Sequence, residues 1–503
     1  MTILKFILFI IFEALLVLSY KKIKTEKTAL FKNIIFILFQ IVIITWFVPA
    51  SYFSGGELAE LEMNRIGIFD FFQLLFGSFQ FQYFIQILFL LVSVGALYGV
   101  LGTTGKYRAW IEKVANKFKR KEKIFLILVA SLLAILTSAF DYGLMLLIFI
   151  PAIISIILTM GYDKITAVLS TFGAMLIGTI GATFNENIIG TINSQIPSAT
   201  NTTGIIFKIA LLVLSLATLI VYLVRVKLTK TKKDEAIEDM FIGEKSSNKY
   251  PVWPVYVMFI IIFVILVLAC TPWTSFNINL FTNVHKAVTE FTLADISFLA
   301  KWFEGAKLTT EPFFGSILGT ITEFGSWYYA EMSVVCLIAA IVMGKVYRKK
   351  LSEVFANMAE GALKMIKPAS LIMLAYTVVY FTGNTYFFPT IADKILSLTK
   401  GFNVFTTTVA TALGSLLHVD MVYVSNYILP QTVGMFAGSE TIVALITQSI
   451  YGVTMFVAPT SALIILGLSY LNISYKEWIK KTWLLTLLLL AVSLVVVIIA
   501  ALI

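Results

Sequence analysis

Long apolar runs separated by short polar interruptions fill the chain from end to end. Stretches long enough to cross a bilayer as helices fall near 3–19, 34–50, 83–103, 166–184, 204–224, 252–271, 328–344, 368–385, 441–468 and 483–503, which predicts about ten spans. Two further stretches, 124–160 and 402–436, follow a different pattern. Each is interrupted at its middle by polar residues, Ser138-Ala139-Phe140-Asp141-Tyr142-Gly143 in one and His418-Val419-Asp420 in the other. Arms of about 15 residues are short for a full crossing, so the pattern predicts two re-entrant helical hairpins. The expected fold is an all-α polytopic membrane protein.

Composition points the same way. Of 503 residues, 59% are hydrophobic and 13% charged, and mean hydropathy is +0.93. Soluble domains run near 45–50% apolar and about 25% charged. A soluble enzyme of this length could not cover so much apolar surface. Cys270 and Cys336 are the only cysteines, and both sit inside apolar runs, which excludes a disulfide framework or a thiolate metal site. The run 3–19 lacks a basic leader and a small-residue cleavage site, and Lys21, Lys22 and Lys24 follow it, so it reads as a retained first helix.

The net charge of +10 describes topology rather than a nucleic-acid partner. Of 38 Lys and Arg, 30 lie in the segments 21–33, 105–123, 161–165, 224–250, 344–367 and 471–482. That asymmetry marks those segments as cytoplasmic. It holds only if each hairpin returns to its own side, the first from the cytoplasm and the second from outside.

The two halves then repeat one order of elements. Residues 1–225 hold three spans, the hairpin 124–160, a broken span at 166–200 and a span at 204–225. Residues 226–250, Lys-rich and then acidic, form a solvated linker. Residues 251–503 hold three spans, the hairpin 402–436, a broken span at 441–468 and a last span at 483–503. Asp141 precedes Pro151 by ten residues, as Asp420 precedes Pro430, and Gly181-Ala182-Thr183-Phe184 aligns with Ala458-Pro459-Thr460-Ser461. Inverted repeats with helices broken at matching places point to a secondary transporter and to its site. The loop 273–327, with patches such as Phe291-Thr292-Leu293-Ala294-Asp295-Ile296, reads as interfacial helices on the outer face.

Non-helical backbone at membrane depth survives where it lines a cavity. Thr183-Phe184-Asn185-Glu186-Asn187 follows a span carrying Gly173, Gly178 and Gly181, and Pro459 removes a helical donor in the matching stretch. The candidate binding residues are therefore Thr183, Asn185, Asn187, Thr460 and Ser461, with Gln448 upstream of the second break. Asp141, Glu186, Asp420 and His418 are the ionisable residues near the breaks, and an intramembrane ionisable group is a functional candidate by default. No Lys or Arg is expected near either break. A substrate carboxylate would then rest on helix amino ends and on hydroxyl or amide donors, while the acids suit an amino or guanidinium group, a proton or a sodium ion.

Several sequence patterns resemble a known family. Ile44-Thr45-Trp46-Phe47-Val48-Pro49-Ala50 with Ile66-Gly67-Ile68-Phe69-Asp70, Trp327-Tyr328-Tyr329-Ala330-Glu331 through Gly361-Ala362, and Pro459-Thr460-Ser461 followed by Tyr475-Lys476-Glu477-Trp478 are similar to the YfcC/DcuC-type carriers. Those are bacterial proteins of the ion-transporter superfamily, more distantly related to AbgT-type transporters. The resemblance implies two inverted repeats, a homodimer built on scaffold helices, and a domain of hairpins and broken helices moving as an elevator. It associates the chain with dicarboxylates, arginine/ornithine exchange or other amino acids. Carried over, Thr183 and Asn185 match the first polar break, and Gln448, Pro459, Thr460 and Ser461 the second. Asn185-Glu186-Asn187 stands where the family has Asn-Pro-Phe, and Asp141-Tyr142-Gly143 replaces a Gly-Met segment with paired glutamates. The substrate is therefore not inherited from the better-known members.

The sequence reading is a secondary active transporter of a small polar metabolite in a bacterial plasma membrane. An amino acid, basic ones included, is the expected substrate, with a C4-dicarboxylate or other organic anion as the alternative. Sodium, protons or exchange would drive it, and no cofactor is expected. An ion channel would need a continuous polar stripe along several spans, and an enzyme would need a metal cluster or acids paired on one helix.

Overall fold

The computed structural model describes residues 2–23, 29–54, 57–61, 65–196, 199–225, 239–243, 250–292, 295–302, 312–314, 322–418, 420–435 and 438–503. Helices α1 (Thr2–Lys22) and α2 (Ala29–Phe47) pack on each other at the amino end. A small antiparallel hairpin, β1 (Ser51–Ser54) with β2 (Glu57–Glu60), follows, pairing Ser51 with Glu60. The helical pattern gave no sign of it. Then come α3 (Asp70–Ser78), α4 (Gln82–Thr103), α5 (Lys106–Lys117), α6 (Glu122–Ala139), a 3-10 turn Gly143–Ile148 and α7 (Ile150–Thr159). Helix α8 (Lys164–Val168), a π segment Leu169–Gly173 and α9 (Ala174–Ile180) run on as one rod. After a break, a π turn Glu186–Gly190 leads into α10 (Thr191–Gln195), and α11 (Ile205–Arg225) closes this half.

The second half holds α12 (Trp253–Cys270), α13 (Leu280–Thr289), α14 (Ser297–Trp302), α15 (Tyr329–Val346), α16 (Leu351–Thr385) and α17 (Phe388–Leu396). It continues with α18 (Val404–His418), α19 (Met421–Met435), α20 (Glu440–Met455), α21 (Ala462–Tyr470) and α22 (Tyr475–Leu502). Among the described residues, eight helices are long and apolar enough to cross a membrane: α2, α4, α6, α11, α12, α15, α16 and α22. The stretches expected as broken spans each consist of shorter helices around an irregular centre. This is a mostly helical, multi-pass membrane protein.

The first interrupted stretch differs from the expected pair of 15-residue arms. Its first arm, α6, has 18 residues and is itself of spanning length, whereas its second is a six-residue 3-10 turn followed by the ten residues of α7. Gly143, at φ +40°, turns the chain, and Pro151 opens α7, where a missing amide proton costs nothing. In the second stretch α18 and α19 have 15 residues each and pack on each other.

Small residues set the closest helix crossings. A Cβ at Gly361 would lie 2.2 Å from the Gly95 carbonyl oxygen, and one at Gly99 2.3 Å from that of Asn357, so α4 and α16 touch backbone to backbone. Gly178 of α9 makes a similar approach to Ala134 of α6, at 2.4 Å. On the outer loop, α13 exposes Leu280, Val284 and Val288 along one face, the pattern of an interfacial helix; residues 293–294, 303–311 and 315–321 of that loop lie outside the described residues.

One expectation needs correction. The stretch 226–250 reads as a solvated linker, yet Asp239 to Gly243 pack into the protein, with Phe241 3% and Ile242 8% exposed. Their apolar side chains find a crevice, and acceptors and donors there satisfy the backbone. The rest of the stretch lies outside the described residues.

Candidate functional site

Helix α6 ends at Ala139 because Phe140 turns extended, at φ −132° and ψ 150°, which leaves carbonyls of its last turn without intrahelical partners. The first break supplies the donors. Three successive amides, of Thr183, Phe184 and Asn185, converge on the Ser138 carbonyl at 2.9, 3.3 and 3.2 Å. Asn185 Nδ2 donates to the carbonyls of Thr137 at 2.8 Å and Phe140 at 3.0 Å, while its Oδ1 accepts from Ile188 N and caps the next helix.

The carbonyls freed at the breaks are also satisfied. Ser138 Oγ donates to the Gly181 carbonyl at 2.6 Å, and Gln448 Nε2, from α20, donates to those of Ile180 and Ala182 at 3.1 and 2.9 Å. At the second break, α20 ends before Pro459; Trp478 Nε1 donates to the Phe456 carbonyl at 2.8 Å and the Tyr475 hydroxyl to that of Val457. This is how irregular backbone is tolerated inside the bundle. Replacing Gln448 by Leu is expected to destabilise the folded protein by about 1–3 kcal/mol, since two buried acceptors lose their donor. Chemical unfolding in detergent measures this, and a variant as stable as the parent would show the two bonds to be incidental.

Between the breaks lies a cavity of about 120 Å³. Asp141, Asn185 and Asn187 border it from the first half, and Asp420 and Ser461 from the second. Asn187 and the two carboxyls of Asp141 and Asp420 thus border one space. Asp420 Oδ1 accepts from Val422 N at 2.9 Å, and its Oδ2 faces the Tyr83 hydroxyl at 3.5 Å. The amino ends of two half-helices, at Asn187-Ile188 and Ala462-Leu463, also border the space. Their first-turn amides carry the positive end of the helix dipole. Among the described residues lining the cavity, the two aspartates are the charged side chains, and no Lys, Arg or His joins them.

Thr137, Thr179 and four tyrosines complete the polar wall, and sequence reasoning missed them. Tyr83 of α4, Tyr329 of α15, Tyr376 of α16 and Tyr451 of α20 line the cavity. The Tyr83 ring centroid lies 5.9 Å from those of both Tyr329 and Tyr376. A tyrosine in an apolar run reads as packing or as part of an interfacial belt. The available signal was their convergence from four helices, which only the fold reveals.

Five of the expected site residues do not line the cavity. Thr183 is spent on α6, its Oγ1 lying 3.2 Å from the Ser138 carbonyl, and Gln448 on the first-break carbonyls. Thr460 Oγ1 donates to the Leu416 carbonyl at 3.2 Å, fastening the second break to α18. His418 is fully buried, its Nδ1 3.0 Å from the Gly414 carbonyl and its ring edge-on to Phe388. Glu186 is exposed, because it occupies the outer side of the turn that Asn185 caps. A lysine also lies closer to the first break than expected: Lys208 is buried in α11, one turn from Leu212, which abuts Gly181. Its Nζ lies 3.4 Å from the Asn201 carbonyl, outside the cavity. No three His, Cys, Asp or Glu side chains gather as a metal site among the described residues.

With that geometry in place, the known proteins to which this chain is similar include a family and a solved structure. The model of the family described as "DcuC: C4-dicarboxylate anaerobic carrier" matches residues 29–502. The crystal structure of the Alcanivorax borkumensis YdaH transporter aligns with 93% of this chain and 97% of its own, at 15% identity and a TM-score of 0.38. No curated protein matches in sequence.

Proposed function

The chain belongs to the C4-dicarboxylate anaerobic carrier family, a family of transporters rather than of enzymes, and from that premise we propose that this transporter is a secondary carrier of amino acids, basic ones included. The carrying observation is the pair Asp141 and Asp420 in a cavity whose described lining holds no cationic side chain. A substrate ammonium there meets two carboxylates in a wall that also holds four tyrosines. Its carboxylate faces the amino ends of the two half-helices. The arrangement thus presents opposite polarity to the two ends of a zwitterion.

A C4-dicarboxylate is the second reading, favoured by the family's description and by the two helix amino ends. It requires that Asp141 and Asp420 be covered by protons or sodium ions when the anion binds. Asp141, Asn187, Asp420 and Ser461 offer the oxygen ligands for such a coupling ion in either reading. The family resemblance supports an elevator-type motion of the break-bearing elements, a homodimer and a bacterial plasma membrane.

Counterflow into proteoliposomes tests the proposal, using labelled amino acids and C4-dicarboxylates with and without a sodium gradient. Saturable, trans-stimulated uptake of an amino acid is the expected result. Non-saturating flux without trans-stimulation would instead mark a channel, and uptake confined to dicarboxylates would select the second reading.

A further inference from the structure

The five residues Asp239 to Gly243 occupy a built crevice on the face that the Lys/Arg asymmetry marks as cytoplasmic. Asp239 Oδ1 accepts from the Tyr470 hydroxyl at 2.6 Å and from Phe241 N at 2.9 Å, and Oδ2 accepts from Ser155 Oγ. Burial pushes this carboxyl above the ordinary aspartate range, while those hydrogen bonds and the Lys364 charge oppose the rise. The backbone is held as well. Lys364 Nζ donates to the Met240 carbonyl at 3.0 Å and Arg108 Nη1 to that of Gly243 at 3.1 Å.

Shape complements the bonding. The Phe241 ring lies between Tyr98, at 5.6 Å, and Tyr470, at 6.0 Å, with Lys364 Nζ 5.7 Å from its centroid. A Cβ at Gly243 would stand 2.1 Å from the Gly102 carbonyl oxygen, so this residue, at φ +63°, is one that only glycine fits.

The partners belong to two groups of elements. Ser155 is on α7, the return arm of the first interrupted stretch, and Tyr470 ends α21, the half-helix that begins at the second break. Gly102, Arg108 and Lys364 lie on or beside the α4–α16 pair, whose backbones are locked together at Gly95, Gly99 and Gly361. We propose that this linker segment is a cytoplasmic latch, a peptide bound in its own crevice that fastens the break-bearing elements to the α4–α16 frame and leaves it when the substrate passes to the cytoplasm. The inference rests on the transporter reading, since a latch has work only if those elements move.

A thiol pair tests it. Ser155→Cys with Asp239→Cys, in a chain whose native Cys270 and Cys336 are replaced by Ala, places two thiols where the serine and carboxylate now meet. Oxidation is expected to join them and to lower counterflow at least tenfold below the same protein reduced, with recovery on reduction. Failure to cross-link, or undiminished counterflow when joined, would overturn the latch. Independently, Asp239→Ala is expected to speed labelling of a single Ser155→Cys thiol by an impermeant reagent on the cytoplasmic side at least tenfold, because the bonds that the carboxylate accepts from Tyr470 and Phe241 N are lost together. An unchanged labelling rate would contradict the proposal. Absence of counterflow in the unmodified protein would instead overturn the transporter reading, while cross-linking and labelling still report whether the crevice is occupied.

Discussion

Asp141→Asn is expected to lower the counterflow of an amino acid at least thirtyfold while leaving the protein folded, and Asp420→Asn to do the same. The substitutions are isosteric and retain an acceptor. The Val422 amide can still donate to residue 420. What is lost is the charge that would face a substrate ammonium in the cavity. Removing one partner of a buried hydrogen-bonded charge pair typically costs about 2–5 kcal/mol, or roughly 30-fold to several thousandfold in affinity. Because both carboxyls border one small cavity, the two losses should not add, and the double variant tests that coupling. Glu186→Gln is the matched control, since Glu186 is exposed and outside the cavity. A fall in transport as large for Glu186→Gln as for Asp141→Asn would place the site elsewhere.

Gly361→Val is expected to remove most of the folded protein rather than to slow it. The added Cβ would stand 2.2 Å from the Gly95 carbonyl oxygen and 2.6 Å from the Gly99 Cα, both backbone atoms. No rotamer change relieves such a contact, so α4 and α16 must separate, at a cost on the order of 3 kcal/mol or more. Tyr83 and Tyr376 ride on those two helices, so the cavity wall would open with them. Gly401→Ala is the control, for nothing lies within 4 Å of a Cβ there. Thermal unfolding and monodispersity on a sizing column should separate the two variants; equal behaviour would show that the glycine crossing does not hold the bundle together.

Much of this architecture is legible from residue patterns because a bilayer permits so few solutions. Apolar length finds the long helices, and the polar interruptions at Asp141 and Asp420 find the two charged residues of the cavity. The breaks at Gly181 and Pro459 are visible because glycine and proline act locally on the backbone. What the pattern could not give is the direction of each side chain around those breaks. Asn185 and Asn187 reach the cavity while Glu186, between them, points away, a distinction set by the cap that Asn185 makes. Thr183, Gln448 and Thr460 are polar at the right places but serve the freed backbone, which outbids a ligand for their donors. The four tyrosines were hidden for the opposite reason, being single aromatic residues within apolar helices. Residues 239–243 were hidden by composition, since charged neighbours on both sides mask the buried pair Phe241-Ile242.

In the proposed mechanism the cavity recognises an amino group by its two carboxylates. Competition against a labelled amino acid in counterflow tests it most directly, comparing 2-aminobutyrate with butyrate and aspartate with succinate, pairs that differ by one amino group. The expected result is at least a hundredfold preference for 2-aminobutyrate over butyrate, lost in Asp141→Asn, with succinate a weak competitor. Succinate competing as well as or better than aspartate would contradict the account and assign the cavity to dicarboxylates.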